Sequence, residues 1–184
     1  GVESEVEAML VRVRTEHGPL RIVVHAAGVL ADGLLGKQDA ESMRRVFAPK
    51  ADGAWLLHKH METDELDLFM LFSSLSAGFG TPGQVNYSAA NALMDELAAL
   101  RCSQGRRSHS IQWPGILDVG LVAAMDQHHP VPEEYCIRAF KAGQVIRYLC
   151  GSTTGNAVLA LVPEQVLWDR GIGVRQKVTA KASI

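Results

Sequence analysis

The run LDLFMLF at residues 66–72 constrains this chain more than any other feature. After Asp67 it is apolar without interruption, so a strand formed there is buried on both faces, as inner strands of parallel sheets are. Parallel strands need long crossovers, usually helical, and the rest of the chain supplies them. Residues 3–17 carry apolar positions at Val6, Met9, Leu10 and Val13, a helical spacing that Gly18-Pro19 stops. A short β-branched strand over residues 20–25 then feeds a tight small-residue loop, Ala26-Ala27-Gly28.

Residues 40–61 read as helical, interrupted near Ala48-Pro49-Lys50, because proline lacks a donor N–H and restricts its predecessor. The hydroxyl-rich turn Ser73-Ser74-Leu75-Ser76 follows the apolar strand, and residues 85–101 are rich in strong helix formers. A third strand is expected at 110–113, closed by Pro114-Gly115. A helix at 132–150 and a fourth strand at 157–162 complete the pattern. Strands alternating with helices predict an α/β fold with a mostly parallel sheet. Residues 1–170 read as one domain and 171–184 as a loosely ordered tail.

Composition narrows the function classes. With 184 residues, 47% hydrophobic and 21% charged, the chain is an ordinary globular domain rather than a disordered or fibrous one. Net charge is −2, and the pairs Arg44-Arg45 and Arg106-Arg107 are far apart and expected to be solvated, so no basic stripe points to nucleic acid. Three widely spaced cysteines without a CxxC argue against a disulfide framework and against zinc, and fit a reducing compartment. No apolar run reaches the ~18 residues of a membrane span and no signal peptide opens the chain, so a cytoplasmic location is expected. The chain starts at Gly1 and goes straight into a helix, which reads as a piece of something longer. His58, His60 and the pair His128-His129 lack helical metal spacing and are expected at the surface, with no metal site.

Residues 78–83 match G-x-G-x-x-G between a strand and a helix, a context that binds dinucleotide phosphates. That reading also wants an acid about 20 residues on, at the end of the next strand. Asp95 and Glu96 fall inside the helix and Asp118 comes too late, so a Gly-rich loop at an active site is the better reading. Tyr87 and Asn91 are four apart and share a helix face. A proton-donating tyrosine has a free pKa near ~10 and needs a nearby cation for useful proton transfer at neutral pH. The lysine that such a helix could carry is replaced by Asn91.

Four stretches together resemble one family. VVHAAGVLADG at 23–33, FAPKADGAWLLH at 47–58, the long segment from 69 to 101 containing LFSS and GQVNYSAAN, and SIQWPGILDVG at 110–120 are similar to the ketoreductase domains of modular polyketide synthases and animal-type fatty acid synthases, within the short-chain dehydrogenase/reductases. The resemblance implies a Rossmann-like doubly wound sheet whose N-terminal βαβ units, with the pyrophosphate loop, are absent from this chain. A sheet that begins partway would expose an unpaired strand edge, and the chain alone would bind NADPH poorly.

The resemblance also implies roles. Tyr87 would donate the proton, Ser74 would hydrogen-bond the same oxygen, and Lys50 would lower the Tyr87 pKa and hold the nicotinamide ribose. Asn91 would fix the geometry or hold a water. Ala26, Ala27, Gly28, Pro114 and Gly115 would lie along the cofactor, although Trp-Pro-Gly departs from the Trp-Gly common in this family. Asp32, Phe79 and Gln84 fall where the family controls substrate placement and stereochemistry. Leu30-Ala31-Asp32 resembles the fingerprint of ketoreductases that give D-configured 3-hydroxyls. The implied reaction is NADPH-dependent reduction of a 3-ketoacyl thioester held on the phosphopantetheine of an acyl carrier protein, within a longer synthase. The alternatives are a non-catalytic scaffold fragment and a stand-alone reductase of a free ketone.

Overall fold

A computed structural model describes residues 1–124, 131–153, 155 and 158–169. Helix α1 (Glu3–His17) ends at Gly18, whose φ of 84° favours glycine, and leads into strand β1 (Ile22–His25). Helix α2 (Ala40–Phe47) opens in a capping box, where the Asp39 carboxylate accepts the Ser42 N–H and the Ser42 hydroxyl accepts the Asp39 N–H. Then come α3 (Gly53–His60), β2 (Leu68–Ser74), α4 (Ser76–Phe79), α5 (Val85–Ser103) and β3 (Ser108–Trp113). The remaining elements are β4 (Gly115–Ile116), α6 (Gly120–Ala123), β5 (Cys136–Ile137), α7 (Ala139–Gly151), β6 (Val158–Ala160) and α8 (Glu164–Asp169).

Four strands form one parallel sheet in the order β1-β2-β3-β6, and β4 with β5 makes a separate parallel pair. Side chains of a strand alternate between faces, and β2 uses both. Phe69 and Leu71 pack with Leu10, Val23, Met61, Met94 and Leu97 under α1, α3 and α5. Leu68 and Met70 pack with Ile111, Trp113, Ala142 and Leu149 under α7. All four of these β2 residues are fully buried, which is why the run reads as apolar without alternation. Strand β1 differs: Val23 and His25 are buried while Ile22 and Val24 are about half exposed, and β1 is the edge of the sheet. The unpaired edge expected from the sequence lies there.

Several local expectations change. The helix expected over 132–150 is instead a single 3-10 turn at Glu133–Tyr135, the strand β5 and then α7. Pro132 holds an extended backbone, and Cys136–Ile137 pairs with Gly115–Ile116 in preference to a lone helical turn. The interruption at Pro49 is milder than a break. The chain widens into a π turn over Ala48–Asp52 and stays helical on either side, with Pro49 in the first turn, where a missing N–H costs little. Part of the glycine-rich stretch is helical, in α4, and Gly80 and Gly83 take φ of 69° and 80°. Backbone geometry accounts for those two glycines.

The histidines are not all at the surface. His25, His58 and His109 are buried. His58 stacks at 5.3 Å on Trp55 and accepts from the buried Arg101 guanidinium, which lies 4.2 Å over the Phe69 ring. His60 is partly buried between Glu3 and Glu7. Arg107 is half-buried, donating to the carbonyls of Leu149 and Cys150 at the end of α7. His128-His129 and the tail at 171–184 lie outside the described residues.

The two faces of α5 set a stability contrast. Met94 is fully buried against β2, whereas its neighbour Leu93 is 51% exposed. Met94→Ala should cost about 2–5 kcal/mol of unfolding free energy through the cavity it leaves, and Leu93→Ala within about 0.5 kcal/mol of none, read by denaturant titration. Equal losses in the two variants would overturn this assignment of faces.

Candidate active site

The C-terminal end of β2 supplies the centre of the site. Pairing of β1 to β2 ends at His25 with Leu71, one residue short of Phe72, whose carbonyl then accepts the Lys50 ammonium at 3.2 Å. The ammonium also sits 5.0 Å from the Tyr87 ring centroid. Lys50 is 3% exposed, and burial pulls its pKa down to about 8, with Asp95 pulling it partly back. Tyr87 comes from the first turn of α5, with Ala90 and Val46 beside it in a small third cluster.

The two serines at the end of β2 part company. The Ser73 hydroxyl is buried and donates to the Asn91 carbonyl at 3.3 Å, tying the strand to α5. The Ser74 hydroxyl accepts the Ser76 N–H at 3.2 Å at the start of α4, and it lines the same cleft as the Tyr87 phenol. Asn91 is fully buried: its amide donates to the Tyr87 carbonyl at 2.8 Å, while its Oδ1 meets no donor among the described residues. Burial dominates Tyr87 and raises its pKa, with Asn91 and Ser74 pulling it down and Asp32 adding a smaller push upward. The expected lowering of that phenol by Lys50 is therefore not the prevailing effect. The cation lies over the ring, 5.0 Å from its centroid, and loss of water around the hydroxyl is the largest influence.

Lys50, Ser74 and Tyr87 share one cleft of about 740 Å³. Ala26, Gly28, Asp32, Phe79, Gln84, Pro114 and Gly115 also line it, whereas Ala27 and Asn91 do not. At Gly28 the backbone runs close to the lysine: a Cβ there would stand 3.3 Å from the Lys50 ammonium, which would have to shift by a few tenths of an ångström. Across the mouth, the Gln84 amide donates to the Asp32 carboxylate at 2.8 Å, and the Gly33 N–H donates to the Gly83 carbonyl at the same distance. These bonds latch the loop after β1 to the loop before α5.

Sequence reasoning missed several contributors. The fully buried Asn86 donates to the Ala31 carbonyl at 2.8 Å and accepts the Tyr87 N–H at 2.7 Å, so it holds both the loop and the start of α5. Its partners, the carbonyl of Ala31 and the N–H of Tyr87, belong to two chain segments that only folding brings together, so helical spacing gives no sign of this role. Tyr135, which donates to the Asp169 carboxylate, lines the far side of the cleft together with Asp169. Nothing in their spacing pointed there. His25, buried with its Nε2 2.9 Å from the Lys50 carbonyl, carries no sequence signal beyond its place at the end of a strand. Burial pushes its pKa down, and only a protonated Nε2 can donate to a carbonyl.

The cleft offers a hydrogen-bonded hydroxyl, a partly buried phenol and a buried ammonium over a small-residue floor. Such a set can bind an oxygen, stabilise charge on it and deliver a proton to it. The residues fit the nicotinamide and ribose end of a dinucleotide, because the Ala26 and Gly28 backbone leaves room beside Lys50. Among the described residues, no helix is long and apolar enough to cross a membrane.

Comparison with known proteins agrees with this geometry. A family profile described as "KR domain" matches residues 1–118. The chain is 50% identical over 150 residues to polyketide synthase GfsA of Streptomyces halstedii, covering 76% of this chain and 2% of that protein. It is 44% identical over 125 residues to the spectinabilin polyketide synthase system protein NorB of Streptomyces orinoci, covering 67% of this chain and 6% of that one. A solved structure of A-type ketoreductases from a modular polyketide synthase superposes with a TM-score of 0.78 at 28% identity, over 88% of this chain and 34% of that one. The chain thus spans a small part of the curated relatives it matches. On the profile match, the shared motifs and the shared parallel sheet, this chain belongs to the ketoreductase (KR) domain family of polyketide synthases.

Proposed function

We propose that this chain is the catalytic portion of a reductase that converts a 3-ketoacyl thioester, held on the phosphopantetheine of an acyl carrier protein, to the 3-hydroxyacyl thioester. The observation that carries this reading is the convergence of Ser74, Tyr87 and Lys50 on one cleft in a chain of the KR family. NADPH, when bound, supplies the hydride that ends on the ketone carbon. Tyr87 gives its phenolic proton to the ketone oxygen, which leaves a hydroxyl and a phenolate. Ser74 donates a hydrogen bond to the same oxygen, where charge grows in the transition state. Lys50 stabilises the phenolate and hydrogen-bonds the ribose, and the open Oδ1 of Asn91 suits a water that returns the proton. The raised Tyr87 pKa keeps the acid protonated until it is used.

The half-exposed face of β1 and its unpaired edge support a further part of this reading: strands that hold the pyrophosphate pair there, in the same longer synthase. The first test is NADPH oxidation with a 3-ketoacyl thioester mimic, comparing this chain, a longer form carrying upstream residues, and that form with Tyr87→Phe. The longer form should turn over, Tyr87→Phe should lose roughly 10²- to 10⁴-fold in kcat, and the short chain should be silent. An undiminished Tyr87→Phe rate would sink the catalytic reading and favour a scaffold.

Lys50 sets the pH dependence. Its ammonium is the working form, so activity is present below its folded pKa of about 8 and falls as pH rises through that value. Stability moves the other way, because the native state sheds a buried proton there while the unfolded lysine keeps its own until higher pH. The kcat profile of the longer form should show this basic limb, and Lys50→Met should be slow and flat across it. A limb that survives in Lys50→Met would assign the titration to another group.

Asp32 orients the substrate from the mouth of the cleft, through its bond to Gln84. The product is expected to be mainly D-configured, with Asp32→Ala eroding the ratio, as read by chiral chromatography of the hydroxyacyl product. A mainly L product would refute this assignment.

A further inference from the structure

We propose that His25 is a positioning residue for Lys50, acting through the main chain of the π turn rather than through contact with substrate or cofactor. The inference rests on the ketoreductase reading above. It begins with the way Lys50 is held. The five-residue turn Ala48–Asp52 departs from the regular α-helical ladder, and the Gly53 N–H reaches back to the carbonyls of both Ala48 and Lys50. Such turns are locally loose, because their widened ring packs less well than α-helix. A lysine carried on one needs an outside anchor if its ammonium is to stay in one place.

His25 is that anchor. It is the last residue of β1, fixed by parallel pairing opposite Leu71, and it is 7% exposed. From there its Nε2 donates to the Lys50 carbonyl at 2.9 Å, across a gap of 25 residues in sequence. The far end of the same lysine is fixed by the Phe72 carbonyl on β2. The two ends of Lys50 are therefore tied to two adjacent strands, and the ammonium is held over the Tyr87 ring between them. Gly53 completes the seat: a Cβ there would lie 3.3 Å from the imidazole Cε1 and 3.5 Å from the Ala48 carbonyl, so the absence of a side chain lets the ring lie against the turn.

No substrate-facing role competes with this one. His25 is absent from the lining of the cleft, whereas Ala26 and Gly28, just beyond it, form part of that lining. Its effect on the reaction must pass through Lys50. Losing the anchor lets the turn relax and moves the ammonium off the phenol, an error of the size that costs rate without costing much affinity.

The test uses the longer, active form of the protein with the ketoacyl thioester assay, and reads kcat, both KM values and the melting temperature of His25→Leu and His25→Gln. His25→Leu removes the donor, and kcat should fall roughly 10- to 100-fold with the KM values little changed. His25→Gln places an amide N–H at about the reach of Nε2 and should restore most of kcat. A merely structural histidine would instead lower the melting temperature and leave kcat per folded molecule intact. If His25→Leu does not fold, His25→Asn replaces it, with the same amide as glutamine but too short to reach the carbonyl. Wild-type kcat in folded His25→Leu or His25→Asn, or a His25→Gln as slow as either, would overturn the proposal. If Tyr87→Phe also kept its rate, the ketoreductase reading would fall with it, whereas a dead Tyr87→Phe beside an unimpaired His25→Leu rejects the anchor alone.

Discussion

Everything in this molecule is arranged about β2, whose residues from Leu68 to Leu71 are closed off from water on both faces. An inner parallel strand must be covered by helices on both sides, and here α1, α3 and α5 cover one face while α7 covers the other. The same strand ends in the site. Where pairing with β1 stops, a main-chain carbonyl at Phe72 is left to bind the lysine, and the next two residues, both lining the cleft, bond the Ser73 hydroxyl to α5 and the Ser74 hydroxyl to the start of α4. Core and chemistry are thus consecutive residues of one strand, and the rigidity of the first fixes the second.

The electrostatics of the cleft follow from burial more than from pairing. Among the described residues, no carboxylate is in hydrogen-bond contact with Lys50, and desolvation leaves its ammonium easier to deprotonate. Tyr87 is pushed the other way by the same loss of water. The two effects move the pKa values of acid and cation apart and leave the ammonium easier to deprotonate than the phenol. Among the described residues the one buried acid is Asp95, which accepts from Ser110 and Gln112 beneath α5.

Much of the fold was legible because its signals are local. The uninterrupted run at 66–72, the helix formers of α5 and the helical spacing of α1 each name their element, and all appear where they were expected, with ends shifted by a residue or two. Readings failed where a distant partner decided. Cys136–Ile137 became a strand because Gly115–Ile116 was available to pair with it, and Pro49 widened a helix rather than ending it because Lys50 is anchored from β1 and β2. His58 is buried because Arg101, 43 residues on, needs an acceptor in the core.

The candidate residues divide in the same way. Motif order alone could place Lys50, Ser74, Tyr87 and Asn91 in one family pattern, since those residue types at those spacings are rare together. The sequence by itself determined an α/β chain with a parallel sheet and the set of side chains able to do proton chemistry. Only the tertiary structure decided which serine hydroxyl is committed to α5, that Asn91 is buried outside the cleft, and that Asn86 and His25 hold the site from behind. The physical reason is that periodicity reports which face of an element is buried, while a hydrogen bond between residues tens of positions apart depends on where the sheet brings two chain segments together.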